Sequence, residues 1–217
     1  MFAAQRLRLV RNRVITPGSI TINPSSQTTA SQGPWGTSGG TMSLGNNVTA
    51  GNGVLAVLST SSNDSDVFGP ITGCGVTFSQ EVNNSFSALW WGNGSSGGSK
   101  TITVDDTYNR WLGAAIEIAG VVGGPIATAV GTDSGSYQTT VTVTPTVSGQ
   151  LAIVACVGNY SGSSNSPITT GAGWTVISPS AGFCQFAYQI ATGTSPLTAT
   201  FTNSSLGPIS SFGLVFV

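Results

Sequence analysis

The sequence contains no histidine, and only 6% of its 217 residues are charged, against about 25% in an average soluble domain. Without histidine the chain lacks the commonest general base and the commonest zinc ligand. So little Lys, Glu and Arg excludes a coiled coil and a charge-rich disordered tail. The three cysteines, Cys74, Cys156 and Cys184, are odd in number and lack metal-ligand spacing, which argues against a disulfide framework. Cys156 within LAIVACV and Cys184 within FCQFAYQI read instead as small buried hydrophobes. No apolar run approaches the roughly 18 residues of a membrane helix. The opening MFAAQRLRLVRNRV places charges where a secretory signal needs its apolar region, so it does not read as one.

What fills the chain is glycine (30), serine (30) and threonine (28), with hydrophobic residues at 39%, enough to build a core at this length. The formal charge of −1 is unevenly spread. Arg6, Arg8, Arg11 and Arg13 stand within the first thirteen positions, and the chain from Val14 onward holds two cations against seven acids, a net of −5. A basic arm on an acidic body is a docking arrangement. In Arg6-Leu7-Arg8-Leu9 charge and apolar residues alternate with period two, and the four arginines share no helical face. That pattern suits an extended arm adding a strand to a sheet edge. Four arginines give modest affinity for nucleic acid, but no recognition fold accompanies them and the acidic body opposes it, so neither nucleic acid nor membrane is expected as a partner.

Beyond the arm the sequence repeats itself. Gly53-Val54-Leu55-Ala56-Val57-Leu58 answers Gly149-Gln150-Leu151-Ala152-Ile153-Val154, 96 positions later. Thr101-Ile102-Thr103-Val104 answers Thr198-Ala199-Thr200-Phe201, and Ala114–Ile118 answers Phe212–Phe216. The pattern predicts an arm and linker over 1–32 and two tandem repeats over 33–122 and 123–217. In the second repeat, strands are expected at 138–144, 151–157, 174–177, 185–191, 197–202 and 209–217. These runs are rich in Val, Ile, Thr and aromatics and are separated by Gly, Pro, Asn and Ser clusters. Trp111–Ala119 has 209–217 as its counterpart and is therefore a strand rather than a helix. Six strands per repeat predict an all-β protein, an antiparallel β-sandwich of immunoglobulin-like or jelly-roll type. Whether the two repeats close separate cores or share one stays open at this point.

The twice-written pattern G-x-L-A-V, I-T-x-G-x-G-[WV]-T, T-I-T-V and A-x-I-x-I-A-G-V resembles the duplicated β-sandwich structural proteins of tailed phages, found as head decoration proteins, head fibres and parts of tail fibres. The likeness covers residues 33–217 and not the arm. It implies a structural or adhesive role in a virion and supplies no catalytic residue.

Candidate sites follow from the rarer side chains. A carboxylate pair for glycoside hydrolysis would come from Asp64, Asp66, Glu81, Asp105, Asp106, Glu117 and Asp133. Glu117 lies in an apolar strand, and neither Asp64/Asp66 nor Asp105/Asp106 recurs in the second repeat, so no catalytic residue and no cofactor is expected. Asn63-Asp64-Ser65-Asp66 offers oxygen ligands to calcium but lacks the glycine and distal glutamate of an EF-hand loop, and a solvated turn explains it as well. Trp90 and Trp91 are adjacent on a strand and face opposite ways. With Trp111 they could stack on a sugar or fill a subunit contact, or be covered, one by its own core and one by the other repeat or a neighbouring subunit. The expectation is a capsid decoration or cement protein in the virion, anchored to the major capsid protein or another virion protein through Arg6, Leu7, Arg8, Leu9, Arg11 and Arg13. Edge strands without lysine favour a homo-oligomer, a trimer first. The alternative is a tail-fibre or surface adhesin module that binds carbohydrate.

Overall fold

The run from Gly53 to Leu58 is apolar at every position, so as a strand it has to be covered on both faces. The rest of the fold is arranged around that requirement. A computed structural model describes residues 21–22, 40–60, 70–84, 87–105, 111–121, 123–133, 138–158, 173–177, 184–202 and 209–217. Among them there is no helix, and every strand ladder is antiparallel. The protein is all-β.

The first half of the chain supplies β1 (Thr21–Ile22), β2 (Gly40–Ser43), β3 (Gly53–Thr60), β4 (Ile71–Gly73), β5 (Val76–Asn83), β6 (Ser87–Asn93), β7 (Thr101–Val104) and β8 (Trp111–Ala119). They form one eight-stranded sheet in the order β1-β8-β3-β6-β5-β4-β7-β2. This sheet curls towards a barrel: Gly40 at the start of β2 lies against the indole of Trp111 at the start of β8, where an added Cβ would come within 2.8 Å of the ring. The second half supplies β9 (Ala127–Val130), β10 (Thr132–Asp133), β11 (Gln138–Val143), β12 (Leu151–Gly158), β13 (Thr175–Ile177), β14 (Cys184–Ile190), β15 (Leu197–Thr202) and β16 (Ile209–Phe216). Five of these make the sheet β13-β14-β12-β16-β9, and β10-β11-β15 make a separate sheet of three.

The strand runs expected from the sequence are present, with ends shifted by one residue in most cases, and β8 and β15 fall on the expected bounds. There are more strands than six per half. The short strand β1 comes from the segment read as arm and linker and β9 from a part of the second repeat where the sequence predicts no strand; they lie along β8 and β16. The stretch from Ile71 to Asn83 is two strands, because Cys74 and Gly75 both take positive φ (52° and 66°) and close a two-residue turn between Gly73 and Val76, the geometry of a type I′ hairpin.

Alternation along the strands sorts the core into layers. On β3, Leu55 and Val57 point one way and Val54, Ala56 and Leu58 the other. The second set meets Met42, Ile71, Ile102 and Val104 of β2, β4 and β7 inside the curl of the eight-stranded sheet. The first set meets Leu151, Ile153, Ala155 and Val157 of β12, together with Phe186, Phe212, Leu214 and Phe216. The two halves therefore share one central cluster rather than closing only separate ones. The opposite face of β12, with Val154 and Cys156, is covered by Val141, Ala199 and Phe201 of β11 and β15. Apolar burial contributes about 25 cal/mol per Å², and β3 and β12 bury both of their faces.

The two outer surfaces are lined with hydroxyl groups. Thr140 and Thr200, and Thr142 and Thr198, stand opposite each other on β11 and β15, their hydroxyls 3.4 and 2.9 Å apart. Thr41 and Thr103 are exposed opposite each other on β2 and β7.

Candidate functional site

The three tryptophans singled out from the sequence are all buried, at 6% exposure for Trp90, 2% for Trp91 and 1% for Trp111. Alternation on β6 sends Trp90 into the curl of the first sheet and Trp91 into the shared central cluster. Trp91 Nε1 donates to the Gly123 carbonyl oxygen at 3.0 Å, and its ring lies on Phe216 with centroids 4.7 Å apart and planes tilted by 53°. An aromatic pair in this geometry contributes roughly 0.5–1.5 kcal/mol beyond its area. Gly53 on β3 leaves the space that the Trp91 indole fills, and a Cβ there would overlap the ring. The indole nitrogens of Trp90 and Trp111 are buried without hydrogen-bond partners, so these rings are held by packing alone. None of the three offers an open face to a sugar.

The other candidates fall elsewhere. Arg6, Leu7, Arg8, Leu9, Arg11 and Arg13, and the weak calcium candidates Asp64 and Asp66, lie outside the described residues. Among the described residues no group of three His, Cys, Asp or Glu side chains is placed to hold a metal ion. No helix there is long and apolar enough to cross a membrane.

The most organised polar arrangement is one to which the sequence alone assigned no role. Glu117, on β8, is fully buried. Its Oε1 accepts a hydrogen bond from the Thr49 backbone N–H at 2.8 Å and another from Asn52 Nδ2 at 2.6 Å, tying the 44–52 connection to the sheet. Next to it, Ser95 N–H donates to the Asn52 carbonyl and Gly51 N–H to the Ser95 carbonyl, both at 2.8 Å. Ser95 Oγ donates to the Cys74 carbonyl at 2.6 Å, and the Cys74 thiol lies 3.7 Å from the Thr101 carbonyl. Burial and, second, the Glu117 charge push the Cys74 thiol up to about 11. A thiol held protonated in this way is a poor nucleophile. Cys156 and Cys184 are also buried and free, and burial raises both well above the ordinary range. The Glu117 cluster joins three turns at one end of the sheet, through hydrogen bonds to the backbone of Thr49, Asn52, Cys74 and Ser95 and to the Asn52 side-chain amide.

Comparison with known proteins adds no identity: no protein family, no curated protein and no solved structure matches this chain. The fold and its buried polar cluster define an antiparallel all-β protein whose organised side chains are turned inward.

Proposed function

We propose that this chain is a structural protein of a tailed-phage particle, most simply a capsid decoration protein. In this reading residues 33–122 and 123–217 are two tandem β-sandwich repeats, and residues 1–32 are an attachment arm and linker. The observation that carries it is where the uncommon side chains go. Trp90, Trp91, Trp111, the three thiols and Glu117 are spent on the interior, while the outer surfaces carry uncharged threonines. A block built this way transmits load and presents contact surface. The reading gives it no catalytic role and no cofactor.

The duplication is supported by strand order. β1-β8-β3-β6-β5 in the first half corresponds to β9-β16-β12-β14-β13 in the second, with β2-β7 and β11-β15 as the outer pairs. Leu55 stands opposite Ile116 as Ile153 stands opposite Leu214, so the registers of the two strand pairs align at an offset of 98 rather than the 96 that Gly53–Leu58 and Gly149–Val154 show in sequence. The partner in this reading is the major capsid protein or another virion protein, with the chain itself a homo-oligomer, a trimer first. The carbohydrate-binding alternative needs an exposed aromatic platform, and the burial of Trp90, Trp91 and Trp111 weighs against those three.

The test is quantitative mass spectrometry on particles purified from the source. A copy number comparable with that of the major shell protein is expected. A few copies per particle would move the chain to a fibre or tail, and its absence from particles would overturn the virion reading.

A further inference from the structure

β9 is an edge strand of four uncharged residues. It closes one side of the five-stranded sheet, and among the described residues only β16 pairs with it. It carries no charged side chain to blunt the edge, though it is short and Pro125 stands two positions before it. Ile126, just before β9, and Val130, at its end, are 46% and 44% exposed. The register also fixes which backbone groups are open. Gly131 N–H donates to the Ser211 carbonyl, and antiparallel pairs alternate between bonded and open. Ala129 thus turns towards Gly213, while the N–H groups of Thr128 and Val130 point away from β16. A row of unpaired donors and acceptors beside two exposed aliphatic side chains is a template for an added strand.

We infer that β9 receives residues 6–10 of the N-terminal arm of a second copy of this chain. Period two places Leu7 and Leu9 on one face of an added strand and Arg6 and Arg8 on the other. With the leucines beside Ile126 and Val130, one edge meets both demands, backbone pairing and apolar cover. Charge agrees in sign. The arm carries four arginines and the remainder a net of −5. Reach is ample, since the 20 residues preceding Thr21 span up to about 65 Å when extended. β1, where the arm enters the described fold, edges the eight-stranded sheet beyond β8, whereas β9 lies beside β5, with β8, β3 and β6 between them in strand order. A neighbouring molecule's edge is thus the natural acceptor. Each copy gives an arm and receives one, a heterologous contact that closes into a ring when the rotation permits.

This inference rests on the arm being an attachment segment and not on a place in a virion, so it is tested on purified full-length protein. Sedimentation at tens of micromolar should give an oligomer, a multiple of the 21.9 kDa chain. Leu7→Asp/Leu9→Asp removes the arm's apolar face. Thr128→Pro removes an outward N–H while sparing the bonds to β16, the one setting in which a strand tolerates proline. Each variant should sediment as a monomer with the far-UV circular dichroism of the parent. Mixing the two should restore a 1:1 complex, because one retains a working edge and the other a working arm. A monomeric parent overturns the inference, as does an oligomer that neither variant disturbs. Loss with Thr128→Pro alone, and not with the leucine variant, would show β9 pairing with another β9 and would also overturn it. Particle mass spectrometry is unaffected by any of these outcomes, so the two proposals fail separately.

Discussion

Glu117 stands in one of the most apolar strands of the molecule, and its burial makes sense only through what it binds. Two donors, the Thr49 N–H and the Asn52 amide, end on a single carboxylate oxygen. Hydrogen bonds to a charged group contribute about 1.5–3 kcal/mol each, and an abandoned buried donor costs a similar amount. Glu117→Ala is therefore expected to lower stability by about 3 kcal/mol or more, read from urea unfolding. Glu117→Gln keeps one acceptor in place and should cost less; equal stability of all three proteins would show that the 44–52 connection holds without it. The thiols give a second prediction at this scale. Their native pKa values lie above the ordinary 9.0, so between pH 9 and about 11 the unfolded chain releases thiol protons that the native chain keeps. Unfolding releases protons there, and stability must fall as pH rises. It should fall through that window, and Cys74→Ala should shallow the fall. At pH 8 none of the three cysteines should react with a thiol reagent in the native protein, and all three should react in guanidinium.

At the scale of elements, close approaches between strands decide what is tolerated. Gly53 faces the Trp91 indole across β3 and β6, and its lack of a side chain is what lets the ring lie over the strand. Gly53→Ala would force the indole off its place, an overpacking cost of about 1–3 kcal/mol, visible as a lower thermal midpoint and a changed near-ultraviolet spectrum; an unchanged spectrum would count against the packing described. This scale is also where the sequence was most readable. β8 and β15 could be bounded from Trp111–Ala119 and Leu197–Thr202 because Ala, Ile, Thr and Val runs ended by Gly, Asn and Ser leave few alternatives. The opposite orientation of Trp90 and Trp91 followed from period two alone. β1 and β9 were not legible, since four residues such as Ala127–Val130 carry no period and owe their conformation to β16. The role of Glu117 was hidden for a related reason. Its partners lie 68 and 65 positions away, and no local pattern encodes that distance.

For the whole molecule, the shared central cluster has a consequence that separate cores would not. Leu55, Val57, Leu89 and Trp91 of the first half meet Leu151, Ile153, Leu214 and Phe216 of the second in one buried cluster. Opening either half would expose the inner face of the other, so the two should unfold as one cooperative unit. The cysteines report on each half separately, Cys74 on the first and Cys156 and Cys184 on the second. Phe216→Ala tests the coupling from a distance. Phe216 is fully buried against Trp91, and truncating a core phenylalanine costs about 3–5 kcal/mol. With one cooperative unit, that cost appears in the opening equilibrium that limits labelling of Cys74, in the other half. Thiol labelling of Cys74 under native conditions should then accelerate by about a hundredfold or more, since each 1.4 kcal/mol is a factor of ten. Cys156 and Cys184 should accelerate by the same factor. Acceleration confined to Cys156 and Cys184 would mean that the halves open independently, and that the contacts across the central cluster do not couple them.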